Sequence, residues 1–352
     1  MAWRRRVRRR LTRLVEVLKS GRRLLVLAHD NPDPDSLASA LALQRIAIER
    51  AGIEAFLAHG GVVGRGENRQ MLETLKIPVL PAKEVDFSQY DLFALVDTQP
   101  MTGNNSLLPE IVPDVVIDHH PIRTQTRAVR FHDVRRFYGA TTTIMSEYLF
   151  CSQVPVDTQL ATALFYGIKS ETQSLGREAS QADKRVYMKL FPLIDSDCLW
   201  RIEHSNLAPR YFNMLVGAIH GTRVHGELVI ADLGDLGVPE MVPEFADLIM
   251  RLRGIRWAFC FGMYKGDIYL SLRTSRRDSD AGEIIQRIVG AHGRAGGHGM
   301  IAGGKIPWVS FQQQGRRHQE ELLRKKVLEL LDNPDSTGIA LLELERDLPD
   351  AL

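Results

Sequence analysis

Residues 24–44, LLVLAHDNPDPDSLASALALQ, constrain this chain more than any other stretch. The first five form a continuous apolar run of the kind a central parallel strand shows, and the last nine carry the Leu and Ala spacing of a helix packed on that strand. His29, Asp33 and Asp35 lie between them. Open α/β sheets place ligand sites in the loops at the carboxyl ends of their strands, so three metal-competent side chains there point to a metal half-site. Hard divalent ions favour oxygen ligands with an occasional imidazole, which suits one His and two Asp. Pro32 and Pro34 stiffen the loop, and Ser36 is the expected N-cap of the helix.

Two later stretches repeat the pattern. DLFALVD (91–97) delivers Asp97 at the end of an apolar run, and DVVIDHH (114–120) delivers Asp118, His119 and His120. Three strands therefore bring acid or imidazole to one edge of what should be a single parallel sheet. Without cations, Asp33, Asp35, Asp97 and Asp118 would repel one another, and divalent ions would relieve that repulsion. The expected fold class is α/β: a parallel-sheet domain joined by a helical linker to a smaller α/β domain.

The remaining chain reads in order. Residues 1–20 form an arginine-rich arm, disordered or loosely helical over MAWRRRVRRR, with a short helix after it. Residues 21–194 form the first domain, 195–224 the linker, 225–310 the second domain and 311–352 a helical tail. Glycines 61, 64 and 66 match no phosphate-loop spacing and read as a turn, although Arg65, Asn68 and Arg69 could face a phosphate. Residues 121–139 read as a loop. Glu171 falls at a helix end. WAFCFGMYKG and DIYLSLRTS read as a hairpin turning at Lys265 and Gly266. GRAGGHGMIAGG reads as a glycine-rich loop around His298, which with Arg273 would clamp an anion.

The balance of 45 Lys and Arg against 43 Asp and Glu leaves a net charge of +2, too little for a global pull toward nucleic acid. Any such contact falls to the arginine arm. No apolar run is long enough for a membrane span, and Arg13, Glu16 and Lys19 interrupt any signal-peptide core. Cys151, Cys198 and Cys260 are odd in number and far apart, which suggests a reducing, cytoplasmic setting.

His29-Asp30-Asn31-Pro32-Asp33-Pro34-Asp35, the strand-terminal Asp97, and Asp118-His119-His120 together resemble motifs I to III of the DHH phosphoesterase superfamily. Arg273 in SLRTS and Gly296-Gly297-His298 resemble the DHH-associated domain of its RecJ-like and nano-RNase branch. The resemblance spans about residues 22–308. It implies a phosphoesterase with two divalent ions, manganese or magnesium, and an active site in the cleft between two domains. His29, Asp33 and Asp97 would hold one ion. Asp35, Asp97, His119 and a motif IV acid would hold the other. The catalytic set would be His120 facing the scissile phosphate, Asp118 orienting a histidine, and Arg273 on the phosphate. Arg273, Ser275, Gly296, Gly297 and His298 would bind the rest of the substrate.

One departure matters. The family's fourth motif usually ends in aspartate, whereas Gly167-Ile168-Lys169-Ser170-Glu171-Thr172 has glutamate. The extra methylene moves the carboxylate by about a bond length, against ligand tolerances of about 0.2 Å. The resemblance implies hydrolysis of short nucleotides: 3′-to-5′ exonuclease action on short oligonucleotides, or removal of phosphate from 3′-phosphoadenosine 5′-phosphate. The alternatives are a cyclic dinucleotide phosphodiesterase and, outside enzymes, a nucleotide- or nucleic-acid-binding scaffold weakened by Glu171. Inorganic pyrophosphatases share the first domain and rank lower. Expected partners are the nucleotide substrate, nucleic acid at the arginine arm, and a second copy of the chain in a homodimer.

Overall fold

A computed structural model describes residues 2–307, 316–331, 333 and 337–346. The chain divides into two units, Met1–Ser205 and Asn206–Leu352.

The first unit opens with α1 (Ala2–Leu18), followed by β1 (Arg23–Leu27), α2 (Pro34–Ile46), β2 (Glu54–His59), α3 (Gly66–Thr74) and β3 (Val79–Pro81). It continues with β4 (Leu92–Val96), β5 (Val115–Asp118), β6 (Phe131–Val134), α4 (Thr141–Ser152), α5 (Thr158–Glu171), α6 (Gln181–Leu190) and α7 (Ser196–Glu203). The six strands are all parallel in the order β3-β2-β1-β4-β5-β6. Both faces are covered. Leu24 and Val26 of β1 join one apolar cluster, Leu25 and Leu27 the other, which is why this strand reads as an unbroken apolar run. The strand order reverses between β1 and β4, and a doubly wound sheet opens its binding crevice at that reversal, outside the carboxyl ends of the strands.

Three expectations need correction here. The arginine-rich N-terminus is no loose arm: Val7, Leu11, Leu14 and Leu18 of α1 are buried in the core, and Arg10 pairs with the buried Asp133. Their spacing of four, three and four residues is a helical stripe that the arginines conceal. Residues 121–139 hold an edge strand, β6, as well as loop. The cap of α2 is Asp33: its side chain accepts from Ser36 N at 2.9 Å while Ser36 Oγ accepts from Asp33 N at 3.1 Å. Pro34 then takes the first helical position, where its fixed φ fits and its missing N–H leaves no gap.

The second unit comprises α8 (Pro209–His220), β7 (Thr222–His225), β8 (Leu228–Asp235), α9 (Met241–Ile249), β9 (Trp257–Tyr264) and β10 (Asp267–Thr274). After these come α10 (Ala281–Val289), β11 (Arg294–His298), β12 (Ile301–Pro307), α11 (Arg316–Leu330) and β13 (Ile339–Ala340). Its mixed sheet runs β11-β12-β10-β9-β8-β7-β13, with only β8 and β9 parallel. Leu228 and Ile230 pack to one side with α10 and α11, Val229 and Ala231 to the other with α9. The β9–β10 hairpin turns through Lys265 and Gly266, both at positive φ (50° and 82°). The glycine-rich segment expected to be a loop is two strands, β11 and β12, paired from Arg294↔Lys305 to His298↔Ile301. Gly297 sits at φ 150° where a Cβ would strike Ile301 O, so only glycine fits.

Candidate metal centre

The loop after β1 is held open from both sides. Asn31 adopts φ 56°, donates its N–H to Gly60 O at 3.2 Å and accepts Val62 N on Oδ1 at 2.8 Å. Asp30 accepts from Ser106 Oγ at 2.8 Å and gives its N–H to Asn104 O at 2.6 Å. His29 Nδ1 lies 2.9 Å from Asp30 O, and because a carbonyl only accepts, Nδ1 carries the proton. Its Nε2 lone pair is thereby aimed at Asp33 Oδ1 (3.5 Å) and Asp97 Oδ2 (3.6 Å).

Asp97 follows β4 at φ 58°, a conformation that strains a non-glycine residue and recurs at functional sites. It accepts from Thr141 Oγ1 at 2.8 Å. His119 Nδ1 faces Tyr138 O at 3.2 Å, and Nε2 stands 3.5 Å from Asp97 Oδ1 and 3.9 Å from Asp35 Oδ2. Asp35 is fully buried and accepts the N–H groups of Thr141 (2.8 Å) and Thr142 (2.7 Å), the first turn of α4. The residue before that helix is Ala140, which offers no side-chain cap, so the cap comes from Asp35 on α2.

Asp118 ends β5 and is almost wholly buried. Its Oδ1 accepts His119 N (2.7 Å), His120 N (3.2 Å) and His120 Nδ1 (2.8 Å), and its Oδ2 accepts Gln99 Nε2 (2.6 Å). Gln99 is itself fixed through Oε1 by Arg123 N and Thr126 Oγ1, both at 2.8 Å. His120 is thus locked in the Nδ1–H tautomer, with a side chain 41% exposed.

The structure brings His29, Asp33 and Asp97 into one group of mutually close ligand atoms, and Asp97, His119 and His120 into another. Asp97 is common to both. Glu171, the last residue of α5, stands outside these groups; its carbonyl accepts from Arg177 Nη2 at 2.9 Å and its Oε1 is 3.9 Å from the same nitrogen. Its charge nevertheless acts on both Asp35 and His119.

Protons record the crowding of acids. Burial, then the charge of Asp33, pushes Asp97 up to about 7. Burial and Asp97 raise Asp35 well above the usual carboxylate range. Burial disfavours charge on His29, yet Asp33 and Asp97 outweigh it and push it up to about 10. His119 is pushed up to about 10 in the same way, against burial, by Asp97 and Asp35. Burial also opposes ionisation of Asp33 and Asp118, but His29 and His120 respectively hold both well below the ordinary range. Carboxylates around imidazoles whose Nε2 atoms face inward form a donor set suited to manganese or magnesium, which would take the place of those protons.

Sequence reasoning missed Thr141, Thr142, Gln99 and the Tyr138 carbonyl. Only the GATTT run at the head of α4 gave any signal, through its cluster of hydroxyls.

Family models match both parts of the chain: "DHH family, N-terminal domain" over residues 23–168 and "DHHA1 domain" over 226–330. The chain belongs to the DHH phosphoesterase superfamily. An uncharacterized protein of Methanocaldococcus jannaschii is 35% identical over 314 residues, 88% of this DHH chain, which spans 64% of that relative's length. A probable manganese-dependent inorganic pyrophosphatase of Bacillus pumilus is 26% identical over 148 residues, 42% of this chain and 47% of the other. Among solved structures, an exopolyphosphatase-related protein from Bacteroides fragilis shares the fold with a TM-score of 0.72, at 12% identity, over 91% of this chain and 96% of that one.

The DHHA1 residues expected to bind substrate are placed as follows. Arg273, at the end of β10, is 9% exposed; its Nε donates to Asp247 at 2.7 Å and its Nη1 to Leu272 O (3.3 Å) and Ala302 O (3.2 Å). Three of its five N–H groups are therefore engaged within the domain. Ser275 follows on the surface, Gly296 and Gly297 lie in β11, and the His298 side chain lies outside the described residues. No helix among the described residues is long and apolar enough to cross a membrane.

Proposed function

We propose that the chain is a metal-dependent phosphoesterase acting on short nucleotides, as a 3′-to-5′ exonuclease on short oligonucleotides or a phosphatase of 3′-phosphoadenosine 5′-phosphate. The observation that carries this reading is the convergence of His29, Asp33 and His119 on Asp97, which belongs to both groups of ligand atoms. His29, Asp33 and Asp97 would hold one divalent ion; Asp35, Asp97, His119 and Glu171 would hold a second. Such ions supply positive charge against phosphoryl oxygens and lower the pKa of a bound water.

The protein's own groups do the rest. Asp118 accepts Nδ1–H of His120, so Nε2 is the atom turned to the substrate; with a proton on that nitrogen as well, it would donate to the scissile phosphate or hand that proton to the leaving oxygen. The main-chain carbonyls of Asp30 and Tyr138 keep His29 and His119 turned inward. Arg273, Ser275, Gly296, Gly297 and His298 would take the remainder of the nucleotide, with Asp247 holding the Arg273 plane in place.

The test is a manganese-supplemented assay of the purified protein on linear dinucleotides, 3′-phosphoadenosine 5′-phosphate, a cyclic dinucleotide and pyrophosphate. Mononucleotide release from linear dinucleotides is the expected result. Turnover of pyrophosphate alone, or of the cyclic dinucleotide alone, would overturn the substrate assignment. Nucleotide affinity without turnover would move the protein to the scaffold class.

A further inference from the structure

The arginines of α1 have no part in the metal centre, and the fold does not neutralise them. Arg4, Arg5, Arg6, Arg8, Arg9 and Arg13 are all exposed, and among the described residues none forms an ion pair, although the whole chain carries nearly as many acids as bases. They occupy about 14 Å of helix, so neighbouring charges fall within the Debye length of about 8 Å and repel one another. A solvated helix ordinarily relieves such a run with acids at four-residue spacing; only Glu16 follows here. Burial and, behind it, the charge of Arg4 lower the basicity of Lys189 on α6, which shows that the positive surface continues onto that helix.

The ridge is also held rigidly. Val7, Leu11, Leu14 and Leu18 seat α1 in the core, Trp3 Nε1 donates to the buried Glu147 at 2.7 Å, and Arg10 pairs with Asp133. The guanidinium groups therefore project from a fixed backbone, which lowers the entropy lost on binding.

We infer that the exposed face of α1 is a docking ridge for the phosphate backbone of a nucleic acid longer than the short nucleotides proposed for the metal centre. Two features favour nucleic acid over an anionic membrane. A lipid-binding amphipathic helix inserts its apolar face into the bilayer, and here that face is consumed by the protein core. The charges are all arginine within residues 4–13, and a guanidinium pairs with phosphate through two parallel hydrogen bonds where an ammonium offers a point charge. Helical spacing spreads Arg4, Arg5, Arg6, Arg8, Arg9 and Arg13 over both flanks of the exposed face, and the major groove of B-form DNA, wide enough to admit a helix, sets phosphates on either side of it.

Fluorescence anisotropy of a labelled duplex DNA of about 20 base pairs, titrated at several salt concentrations, tests this, since each neutralised duplex phosphate contributes about −0.9 to the slope of log K against log salt. The full chain is compared with R4Q/R5Q/R8Q/R9Q, whose glutamines keep helix propensity and leave the buried face untouched. The slope should become shallower by about 3 to 4, and affinity at about 0.1 M salt should fall about a thousandfold. The four-lysine counterpart should retain the slope. Turnover of a linear dinucleotide should be equal in all three proteins, so loss of docking and failure of the hydrolase reading are read separately. The inference is overturned if the parent chain does not bind the duplex, if the glutamine variant binds equally well, or if phosphatidylglycerol-rich vesicles compete the duplex away.

Discussion

Asp118→Asn is the most informative single substitution because the two oxygens of Asp118 serve different partners. Oδ1 accepts three N–H groups from His119 and His120, and Oδ2 accepts one from Gln99. An asparagine keeps three of the four bonds by leaving its oxygen with the histidines, which turns its NH2 toward the Gln99 NH2. Gln99 cannot flip without setting its NH2 against Arg123 N–H and its Oε1 against Pro121 O. One charge-assisted bond is lost and two buried donors face each other, a cost of about 3 kcal/mol. For a unit of this size that lowers Tm by about 6 to 12 °C. His119 and His120 lose a carboxylate anchor, so manganese affinity should fall about 10- to 100-fold. Calorimetry and a manganese titration on the parent, Asp118→Asn, Gln99→Ala and the double variant give the coupling directly. If Asp118→Asn costs as much in the Gln99→Ala background as in the parent, or shifts Tm by less than about 1 °C, donor-to-donor conflict is not what Asp118 averts.

Other outcomes follow from the same geometry. Manganese binding should expel more than two protons near neutral pH, since His29 and His119 hold theirs up to about 10 and the raised ligands Asp97, at about 7, and Asp35 add to them; affinity should therefore rise with pH, and the calorimetric heat should vary with the buffer's ionisation enthalpy. A heat independent of buffer would refute it. Glu171→Asp should retain or raise manganese-dependent turnover; absence of turnover in both forms would favour the scaffold reading. Glu147→Gln should destabilise the first unit by about 3 kcal/mol, because Glu147 is buried against Arg135 at 2.5 Å and Tyr138 Oη at 3.2 Å. It should also weaken manganese binding about tenfold by loosening the turn whose Tyr138 carbonyl holds His119, and an unchanged manganese affinity would show that the turn is held by other means.

The strand-end acids were legible in the sequence because a buried parallel strand is an apolar run and its polar terminus stands out against it, as at Asp97 and Asp118. What escaped was masked locally or depended on distant partners. β6 alternates Phe131 and Asp133 inward with His132 outward, and a buried aspartate erases the apolar signature of so short a strand. β11 is rich in glycine, which usually speaks against a strand. In α1 the six arginines of the first ten residues outweighed a four-residue apolar stripe. Gln99 was an ordinary loop residue until folding brought it to Asp118, and the Tyr138 carbonyl, like any main-chain group, leaves no trace in residue type.

The carboxylate of Asp35 has a consequence for anyone dissecting this centre by mutagenesis. It secures the start of a helix more than a hundred positions away in the chain, so alanine at 35 would fray α4 and displace Thr141 from Asp97 even in protein that had never met a cation. Inactivity of such a variant would be the same whether a ligand had gone or a scaffold had come undone. Attribution to coordination at that position requires a companion change that restores the start of α4 by other means.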